Sequence, residues 1–140
     1  MKNQEIFFDC KIDFELIAVS ANVKGYRMAW LLNKALKIDF CRQRDFEFSN
    51  PSAGRFSRHE IYLFEDHLNY LDYVLISNKD TGAILIPELK AADFLLMIRG
   101  SNAPMHLDDI YLKVRNAPEI QTDFKVDAEK IKSIENLLLI

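Results

Sequence analysis

A chain of 140 residues with 49% hydrophobic and 28% charged residues, and only 4 Gly and 4 Pro, has the composition of a single globular domain (residues 1–140) rather than of a disordered or low-complexity chain. At this length roughly 68% of the unfolded surface can be buried on folding, so the fold needs no staple. A formal net charge of −3 gives no overall attraction to phosphate backbones or anionic bilayers, so nucleic acid is not the expected partner.

The opening Met1-Lys2-Asn3-Gln4-Glu5 lacks the apolar stretch of a signal peptide, and no run approaches the ~20 apolar residues that cross a bilayer. A cytoplasmic protein without membrane contact is expected. Cys10 and Cys41 have neither zinc-site nor redox-motif spacing and read as two reduced thiols.

In chain order, Ile12, Phe14, Leu16 and Ala18 alternate with Lys11, Asp13 and Glu15, the period of a strand buried on one face. Ser20 and Asn22 are candidate N-caps of a helix whose apolar positions are Val23, Tyr26, Ala29, Trp30 and Leu36, ending near Lys37. Phe40 and the alternating Asp45-Phe46-Glu47-Phe48 predict a returning strand, and residues 49–54 a turn. The apolar runs 61–64 and 71–76 predict a hairpin, and residues 78–82 a second turn. Pro87 ends the short run that follows, because it cannot donate a ladder hydrogen bond. One helical turn and a strand over residues 92–99 come next. Gly100-Ser101-Asn102 then opens a helix with the face Leu107, Ile110, Tyr111 and Val114, and Ile120, Thr122, Phe124 and Val126 form a closing strand.

These elements predict an α+β fold: two strand-helix-strand units around a mostly antiparallel sheet, with the helices on one face, of ferredoxin-like or ACT-like tendency. The runs 61–64, 73–76 and 94–98 are apolar at both parities, so the sheet's second face also needs a cover. The protein is therefore expected to form a two-fold homodimer through that face or through the apolar tail Leu137-Leu138-Leu139-Ile140; the tail folding back over the face would satisfy the same need within one chain.

Chemistry is less legible. On one continuous strand His59 and His67 would stand about 26 Å apart, and His59-Glu60 lacks the second histidine of a zinc helix, so no metal site is expected. The sequence has no phosphate-binding glycine loop and no nucleophile elbow, and no cofactor is expected. Arg42, Arg44, Arg55 and Arg58 interleave with Phe40, Phe46, Phe48 and Phe56. In strands such rings point to the core while the arginines face water beside Asp45 and Glu47.

Ile86-Pro87-Glu88 with Asp93 resembles the signature of the bacterial IPExxxVDY family of small uncharacterised proteins, with Ala92 and Phe94 where that signature has Val and Tyr. Tyr26-Arg27 with Ala29, Leu32, Asn33 and Lys34 looks like the family's first helix, and residues 93–127 like its C-terminal half. The resemblance implies no assigned activity. It singles out Tyr26, Arg27, Asn33, Lys34, Pro87, Glu88 and Asp93 as candidate functional residues.

Asp93 is notable physically, because a carboxylate in an apolar run must be paired, hydrogen-bonded or at an edge. Arg27 and Lys34, seven apart on one helical face, are candidate cations for it. The expected function is a non-enzymatic interaction or small-ligand-sensing module with an unidentified protein or small-molecule partner. The alternative is a small enzyme using Asp93 or Glu88 as acid or base, assisted by Arg27 or His59. A pocket shared by Glu88 and Asp93 would favour the enzyme.

Overall fold

The computed structural model describes residues 12–50 and 54–140. Its elements are β1 (Phe14–Ser20), α1 (Gly25–Leu36), β2 (Cys41–Arg42), β3 (Phe46–Asn50), β4 (Arg55–His59), β5 (Ile61–Asp66), β6 (Leu71–Ser77), β7 (Lys79–Asp80) and β8 (Ala83–Ile84). A 3₁₀ turn at Pro87–Leu89, β9 (Phe94–Arg99), α2 (Ala103–Arg115), β10 (Thr122–Val126) and 3₁₀ segments at Ala128–Lys130 and Lys132–Leu139 complete the chain. No helix among the described residues is long and apolar enough to cross a membrane.

The molecule is a mixed α/β fold on a six-stranded sheet of order β10-β1-β9-β6-β5-β2, in which every pairing is antiparallel. Helix α2 carries the chain from β9 over β1 to β10, on the other edge of β1. The hairpin expected at the apolar runs is β5 and β6, joined with Ile61 opposite Ile76. The returning strand expected at residues 45–48 does not enter this sheet. It pairs as β3 with β4 in a separate hairpin, leaving only Cys41 and Arg42 at the sheet edge. The reason is packing, since Phe46 and Phe48 lie against the second face of the sheet.

Alternation along the strands divides the core in two. Ile17, Val19, Tyr73, Leu75, Leu96 and Ile98 face Met28, Leu31 and Leu32 of α1 and Ile110 and Val114 of α2. Leu16, Ala18, Val74, Ile76, Leu95 and Met97 face the other way, onto Leu85, Ile86, Leu89, Ile134 and Leu137. The expected open face is therefore closed by the chain's own residues. Ile134 is 8% and Leu137 1% exposed, and burying each such side chain stabilises by about 1.5–3 kcal/mol. This removes the ground on which a two-fold partner was expected on that face.

Helix α1 departs from expectation at its start. Neither Ser20 nor Asn22 caps it: β1 runs through Ser20, whose hydroxyl donates to the Ala91 carbonyl at 2.5 Å, and the N-cap is Lys24 with no side-chain cap. The buried stripe is Met28, Ala29, Leu31 and Leu32, so Tyr26 and Trp30 face outward, 68% and 46% exposed. The end falls at Lys37 as expected, in the left-handed region, with the N–H groups of Lys37 and Ile38 both reaching the Asn33 carbonyl. At the start of α2 the Asn102 side chain makes no cap and donates instead to the Asn69 carbonyl at 3.3 Å. Gly100 precedes it at φ +135°, where a Cβ would stand 2.7 Å from the Tyr70 carbonyl, so only glycine fits.

Cys41 is an exposed free thiol. Cys10 lies outside the described residues.

Candidate cleft at the start of helix α1

Where β1 and β6 end and β9 begins, the chain leaves a cleft of about 430 Å³ between the turn at residues 21–25 and the β6–β7 junction. Tyr26 stands at its mouth, and Glu60, Ser77, Lys79 and Asp93 lie along its walls. Asp93 builds this corner. Its Oδ2 accepts from the Ala21 N–H at 2.9 Å, its Oδ1 from Lys79 Nζ at 3.0 Å, and its backbone joins Val19 and Asn78. The carboxylate thus holds the end of β1 to the start of β9.

Glu60 forms the opposite wall. It accepts from the Tyr62 hydroxyl at 3.1 Å and lies 3.7 Å from Arg42 Nη1, with its carboxylate against the first residue of α1. A Cβ on Gly25 would overlap that carboxylate, so glycine there lets a negative charge sit at the positive end of the helix. Burial first, and the neighbouring Glu60 carboxylate second, push the Tyr62 hydroxyl above its ordinary pKa. The lining of the cleft therefore includes residues of both charge signs, Glu60 and Asp93 with Lys24 and Lys79.

The other candidates fall elsewhere. The cation of Asp93 is Lys79, not Arg27 or Lys34. Those two flank the Trp30 ring, and Arg27 pairs with Glu119 at 2.5 Å. Asn33 lies near the end of α1, its Oδ1 accepting from the Phe40 N–H at 2.8 Å. Pro87 opens the 3₁₀ turn, and Glu88 accepts from the Ser133 N–H at 3.1 Å, pinning the C-terminal segment. Desolvation pushes the Glu88 carboxyl up, but hydrogen bonds from its own backbone and from Ser133 outweigh it and hold the group below its usual range. Glu88 does not line this cleft, whereas Asp93 does. The arginine–phenylalanine pattern resolves only in part: Phe40 is buried, Arg42 pairs with Asp45 at 2.7 Å and Arg58 with Glu47 at 3.4 Å, but Phe56 does not point to the core, being 57% exposed with the Arg58 guanidinium 5.8 Å from its ring centre.

His59, the suggested assistant, is fully buried and occupied. Nδ1 must donate to the Ser77 carbonyl at 2.8 Å, so Nε2 is the unprotonated nitrogen and accepts from Ser57 Oγ at 2.7 Å. Desolvation lowers its pKa below 6.5, and the carbonyl bond only partly opposes this. The unfolded chain then binds a proton before the folded one does. Stability is complete above pH 6.5 and is lost as pH falls through the window between 6.5 and the lower folded value. Urea midpoints should decline with acidification in that window, and His59→Gln should flatten the decline. An equal slope in the variant would remove His59 as the cause.

Substituting Asp93 tests the corner itself. The Lys79 pair is two-fifths and one-third exposed and adds little, so Asp93→Ala should cost about 1–2 kcal/mol, chiefly from the orphaned Ala21 N–H. Lys79→Ala should cost less than about 1 kcal/mol in the same denaturant melts. If the lysine variant were the more harmful, the ion pair and not the backbone anchor would hold the corner.

Sequence reasoning missed Glu60, Lys79 and the fully buried Asn78. The available signal was Gly25, a glycine in an otherwise good helix start, which marks a close approach by another group. Among the described residues no group of three or more His, Cys, Asp or Glu side chains could hold a metal ion. Comparison with known protein families and with curated proteins finds no match to this chain.

Proposed function

We propose that the protein is a non-enzymatic sensing module that takes a small zwitterionic molecule, of the amino-acid class, in the cleft between the end of β1 and the start of α1. The observation that carries this reading is the cleft's paired charge: ammonium groups of Lys24 and Lys79 to meet a carboxylate, and Glu60 to meet an ammonium group. Both oxygens of Asp93 are engaged by Ala21 and Lys79, which favours binding over proton transfer. The order β10-β1-β9-β6, with α1 after β1 and α2 joining β9 to β10, supports a ferredoxin-like core of two strand-helix-strand units, with β5 and β2 added at one edge. The likeness of residues 86–94 to the IPExxxVDY signature supports placing the chain beside that family.

Thermal melts in the presence of each free amino acid test the reading. A ligand at about 100 times its Kd stabilises by about 2.7 kcal/mol, which moves the midpoint by several degrees in a domain of this size. At least one amino acid should do so, and Lys79→Ala and Glu60→Gln should each abolish the shift. No shift with any of them, or a shift indifferent to both variants, would sink the proposal.

A further inference from the structure

The chain has a single tryptophan, and it is not in the core. Trp30 lies on the outer side of α1, with the Arg27 guanidinium 4.8 Å and the Lys34 ammonium 4.2 Å from its ring centre. The spacing explains the arrangement, since residues three before and four after share a helix face. Beside the ring a groove of about 370 Å³ runs between the last turns of α1 and α2, floored by Ala35 and Ala117, edged by Pro118, and flanked by Lys34 and Lys113. Among the described residues Arg27 pairs with Glu119, and Lys113 pairs with Asp109 in an exposed pair of low value. Among the described residues Lys34 has no carboxylate partner, and its contact is the Trp30 ring.

We propose that this groove is a docking site for an acidic segment of a partner protein, which seats one aromatic side chain between Trp30 and Pro118 and sets carboxylates on Lys34 and Lys113. Charge complementarity selects the occupant. On a chain whose net charge is −3, these two lysines bracket an apolar floor, and Lys34 has no acidic partner among the described residues. The groove lies at the small end of the roughly 300–1,000 Å³ range of ligand pockets, which suits one anchoring side chain. Tryptophan and arginine are among the residues enriched where binding energy concentrates at protein interfaces. Nucleic acid would need a longer basic track and further stacking rings, and the groove has one ring.

Because Trp30 is the sole tryptophan, its emission reads this groove alone. Titrating the full chain with a short peptide whose central phenylalanine is flanked by acidic residues should shift the emission saturably. The same phenylalanine flanked by lysines should not. Lys34→Glu with Lys113→Glu should weaken binding by about tenfold or more, and the double glutamine variant by less. Both lysines are exposed, so far-UV circular dichroism should be unchanged in either variant. Equal binding of the acidic and basic peptides, no response to the acidic one, or a stronger response to an oligothymidylate would each overturn the proposal. The cleft at the start of α1 is not involved, so failure here leaves the sensing function standing, and the reverse.

Discussion

Asn78→Ala should be the most damaging single polar substitution in the molecule, at about 3–5 kcal/mol. Asn78 is fully buried, and its amide donates to the carbonyls of Leu89 and Ala92, both at 3.0 Å, while its Oδ1 accepts from the Ile86 N–H at 2.9 Å. Its backbone also joins Asp93 at 3.0 Å and Leu85 at 2.7 Å. One side chain therefore satisfies three backbone groups of the segment 86–92, which has no sheet or long helix to do so. Removing it orphans the Ile86 N–H and the Ala92 carbonyl inside the core and leaves the Leu89 carbonyl with only the Ala92 N–H, and each unsatisfied group costs about 1–3 kcal/mol. Against a typical total stability of about 5–15 kcal/mol the loss is large, and denaturant melts should show it. Asn78→Asp should be no better, because it sets a carboxylate against two carbonyl oxygens. A variant within about 1 kcal/mol of the parent would mean that the segment is held by its apolar residues alone.

Asn78 also marks where sequence reading stops. The apolar run 71–76 ends and a polar cluster follows, so the composition reads as an exposed turn, and nothing local tells a buried asparagine from a solvated one. Period-two and period-3.6 patterns gave β1, β3, β5, β6, β9, β10 and both helices because they depend on neighbours in the chain, but not β4 or β7. The hubs depend on atoms far away: Asn78 serves residues up to fourteen positions on, and the Ala21 amide bonded by Asp93 lies 72 positions back. Asp93 was legible as an anomaly, since a carboxylate in an apolar run demands a partner, but Lys79 carries no sequence mark that makes it that partner. Tyr26 and Trp30 were read onto the buried face of α1 because they are apolar; Met28, Leu31 and Leu32 fill that face instead, and the rings remain outside.

The C-terminal segment is the second place where a large effect is expected. Ile131, Ile134, Leu137 and Ile140 recur every third residue, the period of a 3₁₀ helix, and all four pack on the second face of the sheet. Reading only the final aliphatic cluster missed that repeat. Asn136 fastens the segment to the Leu85 carbonyl at 2.9 Å and Arg99 to the Ile140 carbonyl at 3.1 Å. Leu137→Ala should cost about 2–5 kcal/mol, as for a buried leucine whose cavity cannot collapse. Removing residues 131–140 should uncover Leu85, Ile86 and Leu89 and make the chain self-associate in light scattering, while the full chain remains monomeric. A truncated chain that stays monomeric and melts like the parent would show that the sheet has another cover.

The most direct test of the sensing function is an amide chemical-shift map of the full chain, titrated with the amino acid that most raises its melting temperature. The account predicts saturable shifts confined to residues 21–26, Ser77, Lys79 and Asp93, absent in Lys79→Ala. Shifts centred on any other surface, or no site-specific shifts at saturating ligand, would contradict it.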